Sequence, residues 1–544
     1  MSSLGALWQK PTTRQLVTGA ALLVLTAFYS PLTVLTLAPV YGTHGTHVFH
    51  AYGVAIVAAV GWFMKDHIQR LSGRKAVYFI PVVAFWIPTI QTFLFSSSSV
   101  LGNPVGPIFT EIAAYYPLVI LSVACAGKLV QAGLDLGRHG EAVAEHVPLL
   151  STYVIYKVGE KIAKAFLGKF IGSTIFFSRA GLQFLLPALY SAVIPSKFLL
   201  FAVPSLLLSA TSNVHLSDGA LNSYLNDEGF ALVARQDSNT GYISVLDNLN
   251  DGFRVMRCDH SLLGGQWTRM PRGYSPATLD PIYAVFTMLE SVRLVETDHG
   301  EPRVDADSKA LVIGLGVGTT PSALIEHGIE TTIVEIDPVV HQFALEYFHL
   351  PSNHIAVIED ATTFVERSPP AQYDYIVHDV FTGGAEPLEL FTIEFIEKLA
   401  SLLKDDGVIA LNYAGDITLY PAALTIRTVR AVFPTCRIFR EAAENDDLNN
   451  DFTNMIIICK KSAATPLRFR QPTANDYLGS KFRETHLLPR HEVDPARFEV
   501  IPPNGRRLLT ARESHLLHKY QDRSALEHWQ IMRTVLPDLV WEYW

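Results

Sequence analysis

The sequence predicts a multi-domain chain: an N-terminal α-helical transmembrane bundle, then a small β-hairpin subdomain, then an open α/β domain in which strands alternate with helices. Three observations predict it. Apolar stretches of near bilayer-crossing length crowd the first 213 residues. Charge divides at the same place, with about 14 Lys and Arg against about 6 Asp and Glu before it, and about 29 against about 46 after it. A glycine-rich turn, Gly314 to Gly318, then opens a run of strand-like and helix-like segments that ends near Lys461. At 544 residues the chain exceeds one compact core.

Within residues 1–213 the apolar runs cover 15–38, 46–64, 76–95, 107–127, 173–194 and 196–212, which predicts six spans. Lys10 and Arg14 precede the first. Lys65, Arg70, Arg74 and Lys75 follow the second, and Lys128, Arg138, Lys157, Lys161, Lys164 and Lys169 lie between the fourth and fifth, whereas Gly42 to Thr46 and Ser96 to Gly102 carry no charge. Short basic loops stay cytoplasmic, so six spans make this a multi-pass integral membrane protein, partnered by lipids, with its acidic remainder in the cytoplasm. Arg179, inside the fifth run, is expected to snorkel to the interface. Between Ser151 and Gly172 the lysines interleave with Val154, Ile155, Val158, Ile162, Phe166 and Phe170, the pattern of a basic amphipathic helix on the membrane surface or of a connecting helix.

Cys125, Cys258, Cys436 and Cys459 are scattered without a C-x-x-C pair, which argues against a disulfide framework or a zinc site. His44, His47 and His50 have ligand-like spacing but no carboxylate or cysteine beside them in the sequence, so no metal is expected. No basic strip with interleaved aromatics points to nucleic acid.

Residues 214–229 are polar and read as a linker. From 230 to 300 the β-type runs Gly241 to Leu246 and Phe253 to Arg257 predict a hairpin, followed by a helix from Asp280 to about Val295. From 301 to 461, strands are expected at 310–314, 331–335, 355–358, 373–378, 408–411, 437–439 and 455–459, with helices at 320–327, 338–348, 392–403 and 420–433. That alternation forces a mostly parallel sheet covered on both faces, with ligands beyond the carboxyl ends of its strands. Residues 462–544 form a partly helical extension whose end, Trp541 to Trp544, packs on the sheet domain or meets the membrane interface.

The chemistry concentrates at those carboxyl ends. Gly314, Gly316 and Gly318 allow a tight turn and close approach of a ligand to the backbone, and Glu335 follows at the distance at which a carboxylate meets a ribose diol. Asp360 ends the third strand and Asp379 the fourth; Asp337, ahead of Pro338, reads as a helix cap. The acidic stretch Glu441 to Asp451 is a solvated loop or a rim for a cationic acceptor.

Taken in order, G-L-G-V-G at 314–318, V-E-I-D at 334–337, E-D-A at 359–361, Y-D-Y-I-V-H-D-V-F-T at 373–382 and L-K-D-D-G-V-I at 403–409 resemble the spermidine/spermine synthase family, the polyamine aminopropyltransferases, including membrane-fused members. The family's sheet is the Rossmann-like α/β methyltransferase-type domain. Thr240-Gly241-Tyr242 and Asp280 to Tyr283 extend the likeness upstream. The resemblance implies that Gly314, Gly316, Gly318, Glu335, Asp360 and Ala361 bind the cofactor, that Asp379 is the catalytic base, and that Tyr242, Asp280 and Tyr283 meet the substrate. It implies an aminopropyl transfer from decarboxylated S-adenosylmethionine to a small amine, in a protein that pairs as a homodimer. The alternatives are an S-adenosylmethionine-dependent methyltransferase on another acceptor, and a transporter or non-catalytic nucleoside-binding membrane protein. The chain departs from the family at Val317, Thr382 and Ile243, where the synthases carry two acidic residues and a glutamine. Losing an anion opposite the ammonium of the decarboxylated donor weakens it by ~1–3 kcal/mol and favours ordinary S-adenosylmethionine.

Overall fold

A computed structural model describes residues 10–269, 275–380, 387–444, 451–501 and 505–544. The chain forms two compact units, one reaching to Glu228 and including Leu536–Trp544, the other spanning Gly229–Val535.

The first unit is helical: α1 (Pro11–Tyr41), α2 (Thr43–Ser72), α3 (Ile80–Phe95), α4 (Val105–Ala113), α5 (Tyr116–Leu134), α6 (Glu141–Phe170), α7 (Arg179–Val193) and α8 (Val203–Ser212). Four helical stretches, Pro11–Tyr41, Thr43–Ser72, Lys75–Phe95 and Tyr116–Leu134, are long and apolar enough to cross a membrane. Helix α1 is central, with α2, α5, α6 and α7 against it. The basic segment of residues 151–172 falls on α6, which packs along one narrow face on the bundle, the second of the two expected arrangements. Its lysines lie on one side, while Thr152, Gly159, Ala163 and Leu167 make a narrow buried face. A Cβ on Gly159 would stand 3.1 Å from the Ala27 side chain, so the two backbones meet where small residues permit it. Arg179 does not snorkel; it is fully buried and its Nε donates to the Leu35 carbonyl at 2.8 Å.

His50 does have a carboxylate partner, brought by α4 rather than by sequence proximity. Its Nδ1 bonds Glu111, its Nε2 lies 2.7 Å from Ser30 Oγ, and the second Glu111 oxygen accepts the Tyr116 hydroxyl at 2.6 Å. The expected linker contains α9 (Asp218–Asp227), capped by Ser217 Oγ accepting from the Ala220 N–H. The aromatic end of the chain belongs to this unit. Helix α18 (Asp538–Glu542) buries Trp541, Ser98 Oγ donates to Glu542 at 3.2 Å, and the His215 and Trp544 rings stack at 3.9 Å.

The second unit opens with an antiparallel sheet of β1 (Phe230–Asp237), β2 (Tyr242–Asn248), β3 (Phe253–Cys258) and β4 (Ser261–Trp267), in that order; the predicted hairpin is its central pair. The predicted helix after it is shorter, α10 (Ala284–Leu289), and tightens to a 3-10 turn over Glu290–Leu294. The α/β part follows the predicted order: β5 (Lys309–Ile313), α11 (Thr319–Glu326), β6 (Glu330–Glu335), α12 (Pro338–Tyr347), β7 (Ile355–Ile358), α13 (Ala361–Arg367), β8 (Tyr373–His378), α14 (Ile393–Leu402), β9 (Leu403–Asp416), α15 (Tyr420–Val432), β10 (Thr435–Arg440) and β11 (Phe452–Lys460). With β12 (His491–Glu492), these strands make one sheet in the order β12-β10-β11-β9-β8-β5-β6-β7. It is parallel from β9 to β7 and antiparallel at β11, β10 and β12.

Each sheet face is closed by its own apolar cluster, one including Leu311, Ile376, Leu411 and Ile457, the other Val312, Tyr375, Ala410 and Ile456. Cys436 and Cys459 are not isolated. They face each other across β10 and β11 and form a disulfide, a pairing that strand register creates and sequence spacing conceals. The tail beyond the sheet is fastened by Arg483 on α16 (Lys481–His486), which is buried, meets both oxygens of Glu290 at 2.9 Å and donates to the Thr278 carbonyl. Helix α17 (His518–Val535) completes the unit.

Candidate active site

Strand β5 ends at Ile313, and the chain must turn at once to start α11. Gly314 does this at φ 84°, so close to β8 that a Cβ would lie 2.0 Å from the Asp379 carbonyl. Gly316, at φ 54°, passes equally close to the Leu263 carbonyl of β4, where a Cβ would stand at 2.4 Å. No side chain fits at either position. Gly318 then caps α11, whose first N–H groups face the turn and favour a polar or anionic ligand there.

Glu335 closes β6 beside this turn. Its Oε2 accepts the Leu315 N–H and its Oε1 the Asp337 N–H, both at 2.9 Å, and burial pushes its carboxyl up to about 7. The carboxylate is thus oriented by backbone donors and retains acceptor capacity for a diol. Asp337 caps α12, accepting from the Val339 N–H at 2.8 Å, and also accepts from Ser238 Oγ at 2.7 Å and from Thr240 Oγ1. Asp360 caps α13 in the same way, accepting from the Thr362 and Thr363 N–H groups at 2.9 and 3.3 Å, with Ala361 buried behind it.

Asp379 follows β8 and lines a small pocket with Gly314, Gly318, Thr320 and Phe286. Its Oδ1 accepts from Asn412 Nδ2 at 2.9 Å. Burial raises this carboxyl to about 6, and the Asn412 hydrogen bond opposes the rise. A group poised there accepts a proton at neutral pH and holds it only weakly. His378, one residue earlier, points to the other face, against Phe391 and Phe395; burial holds its imidazole down at about 4.

The structure brings Gly314, Gly318 and Asp379 into one pocket, with Glu335 bonded to the turn that forms it. Tyr283 packs on Phe286 at a ring separation of 6.3 Å, and burial together with Glu441 pushes its phenol up to about 12. Two proposed substrate contacts lie elsewhere. The Asp280 carboxylate accepts from Ser480 Oγ, and Tyr242 is buried in the small sheet with its N–H on Asp259 at 2.9 Å. Val317 packs with Leu315, Ile333 and Val340 and also lines the pocket at Asp379, where it sets an apolar side chain in place of the acidic residue of the synthases. Thr382 and residues 445–450 of the acidic stretch lie outside the described residues. Sequence reasoning missed Asn412 and Asn454, and had Glu441 only as the start of an acidic stretch read as a solvated loop or a rim for a cationic acceptor. Asn412 was findable, as the polar residue that ends the apolar run Val408 to Leu411 at the carboxyl end of the strand beside Asp379.

A glycine turn, an acidic residue on the next strand and a half-buried carboxylate facing the turn are the layout of a nucleoside-binding α/β domain. Comparison with known proteins narrows this. The model of the spermine/spermidine synthase domain matches residues 295–439. A protein of Emericella nidulans named N-terminal histidine N-methyltransferase is 64% identical over 559 aligned residues, covering 100% of both chains. The polyamine aminopropyltransferase of Vibrio vulnificus is 37% identical over 141 residues, 25% of this chain and 47% of its own length. Among solved structures, a probable spermidine synthase from Corynebacterium glutamicum aligns at TM-score 0.37 and 17% identity, over 49% of this chain and 90% of that one. The chain belongs to the same family as the Emericella protein, a methyltransferase family built on the spermine/spermidine synthase domain.

It is therefore a transferase, and the expected aminopropyl transfer is overturned by the end-to-end likeness to a methyltransferase. That likeness implies S-adenosylmethionine as methyl donor, in place of the decarboxylated form. The buried Val317 has the same physical sense. A donor that keeps its own carboxylate has no need of a protein anion beside its ammonium.

Proposed function

We propose that this protein is a membrane-anchored methyltransferase that transfers the methyl group of S-adenosylmethionine to a nitrogen of an N-terminal histidine residue. The observation that carries this reading is the 64% identity to the Emericella enzyme, which runs through the helical unit as well as the transferase unit. The site suits the donor: Gly314 and Gly318 line the pocket beside Asp379 within a tight positive-φ turn, and Glu335 next to that turn is positioned for the ribose hydroxyls. Bound there, S-adenosylmethionine supplies a methyl carbon activated by a positive sulfur, and the carbon–sulfur bond breaks with both electrons going to sulfur. The unprotonated ring nitrogen attacks the methyl carbon with its lone pair, while Asp379 orients the imidazole through its other nitrogen, the N–H, and takes that proton as the methylated ring returns to neutral. Asp360 and Ala361 border the adenine side. The test is to incubate the solubilised full chain with S-adenosylmethionine and a short synthetic peptide beginning with histidine, and to read the mass and the modified residue. Absence of a methylated product overturns the reading.

The transferase unit, on this reading, faces away from the cytoplasm, opposite to the expectation from six spans. Helix α6 supports it by running through the bundle: Lys164, near its end, comes close to His47 at the start of α2, while the helix begins just after α5, on the side of Lys128. Helix α8 then runs alongside α3 in the same direction, since Trp86 bonds the Phe201 carbonyl just ahead of α8 and Thr89, one turn on, bonds Ser209. His215 and Trp544 meet just beyond, and Glu542 reaches Ser98, within the uncharged turn Ser96 to Gly102. The chain thus leaves and re-enters the helical unit at the end opposite the basic loops. The Cys436–Cys459 disulfide suits an oxidising compartment. Protease added to sealed microsomes leaves the transferase unit intact under this topology; its digestion there would restore the cytoplasmic assignment.

A further inference from the structure

Strand register carries the sheet face at Asp379 sideways. Gly314, Asp379 and Asn412 follow on from the pairings of Ile313 with His378 and of His378 with Leu411, so they lie in one row across β5, β8 and β9. Asn454, opposite Ala414, stands one pleat further along β11, and Glu441 lies beside it at the end of β10. Glu441 is held firmly: one oxygen accepts the Val285 N–H at 3.0 Å and the other accepts Asn454 Nδ2 at 2.6 Å. Its neighbour Arg440 is committed to Asp451 at 2.6 Å. Among the described residues, neither Asp379 nor Glu441 has a cationic partner.

On this face the Asn412 amide oxygen and the Tyr283 hydroxyl have no partner among the described residues. Asn412 is 6% exposed and uses its amide N–H on Asp379, but its Oδ1 is buried and unbonded. The Tyr283 hydroxyl, beside Glu441, is also buried and unbonded. Leaving such atoms unsatisfied costs ~1–3 kcal/mol each, so an unpaired acceptor beside one carboxylate and an unpaired hydroxyl beside the other describe a seat for a ligand that brings a hydrogen-bond donor to each end and a positive charge to one.

We propose that Glu441 and the Tyr283 hydroxyl form the seat of the acceptor's free α-ammonium group, which places the side chain of the first residue against Asp379 and the unbonded Asn412 Oδ1. This deepens the reading of the acceptor as an N-terminal histidine and rests on it. The strands that carry Asp379 and Glu441 are separated by β9 and β11, three spacings of ~4.8 Å. The inward reach of two side chains shortens that span, and one histidine residue with hydrogen bonds of ~2.8 Å at either end bridges it. The seat makes the enzyme read a chain terminus, because an internal histidine offers an amide in place of a cation.

The experiment compares two short synthetic peptides, one beginning with histidine and its N-acetylated counterpart, on the full solubilised chain and on Glu441→Gln. Wild type is expected to prefer the free amine by ~100-fold or more in kcat/KM, the cost of leaving a charged pair unmade. Glu441→Gln is expected to lower kcat/KM for the free amine ~10–100-fold, mainly through KM, and to shrink the preference by the same factor. Binding of S-adenosylhomocysteine, read by calorimetry, reports that the variant is folded. Tyr283→Phe, which deletes only the unbonded hydroxyl, is expected to shrink the preference in the same direction by a smaller factor, and it stands in should Glu441→Gln fail to fold. An undiminished preference in a folded variant overturns the seat while leaving the methyltransferase reading intact. A wild-type enzyme that methylates neither peptide overturns that reading, and the seat with it.

Discussion

In the helical unit, His50 is bonded at both ring nitrogens, to Ser30 and Glu111, and the second oxygen of Glu111 takes the Tyr116 hydroxyl. In the transferase unit, among the described residues, Asp379 has one donor, Asn412, whose own Oδ1 has none, and the hydroxyl of Tyr283 stands unbonded near Glu441. Both clusters contain carboxylates, buried in the first and half-buried around the buried Asn412 in the second, yet only the first is closed. A closed network holds helices in register and its removal is felt as lost stability. An open one pays its desolvation without return until a ligand supplies the missing partners, so its removal is felt as lost binding or turnover.

The largest way to sharpen that contrast is Asp379→Asn. Turnover is expected to fall by ~10²–10⁴-fold, the usual contribution of a positioned base, while calorimetry with S-adenosylhomocysteine shows donor binding kept. Stability should not suffer. The folded-state pKa of Asp379 lies above its unfolded value, so the group's favourable contribution is complete only below the unfolded pKa and is lost as pH rises through about 6. At neutral pH the charged carboxylate is a burden on the fold, and an unchanged or raised Tm is the expected readout.

The converse experiment is Glu111→Leu. It strands His50 Nδ1 and the Tyr116 hydroxyl in an apolar bundle, and the loss is expected to be ~2–5 kcal/mol, read as a lower thermal midpoint in detergent. Donor affinity per folded molecule is expected to stay the same. A variant that kept its stability and lost donor binding would reverse the assignment of the two clusters.

How much of this was legible in the sequence follows from how far each feature depends on distant residues. The strands and the glycine turn were readable because β-type apolar runs and their punctuation are local: Ala310 to Gly314, Thr331 to Glu335 and Tyr373 to His378 all form near the expected bounds. So was the Asp337 cap, set by Pro338 after it. Helix α13 was hidden because Asp360 and Ala361 drew attention as ligand contacts, although Asp360 caps that helix. In α6 the lysines obscured the stripe of Thr152, Gly159, Ala163 and Leu167, and with it the direction in which the bundle is threaded. The disulfide and the row from Asp379 to Glu441 needed the pairing of β9, β11 and β10, which local pattern does not specify.

A smaller effect separates Glu335 from Asp379. Glu335→Ala deletes the oriented carboxylate beside the glycine turn and is expected to weaken the donor ~10–100-fold, with kcat at saturating donor little changed. An equal fall in kcat would mean that Glu335 acts in the transition state and not only in holding the ribose.

The smallest and most discriminating effect is in pH. Asp379 must be ionised to accept a proton, so kcat at saturating donor and acceptor should fall on the acid side through about 6. Glu335, at about 7, titrates nearby, but its protonation weakens the donor and so appears in kcat/KM for S-adenosylmethionine, with a limb closer to neutrality. His378, held at about 4 on the opposite face, contributes to neither. Asn412→Leu removes the one hydrogen bond that favours the Asp379 carboxylate over the carboxylic acid. The kcat limb should therefore move up by ~1 unit, while the Glu335 limb stays where it was. If both limbs moved together, the two carboxylates would be titrating as one coupled site, and the separation of donor-holding from proton-accepting roles across β6 and β8 would fail.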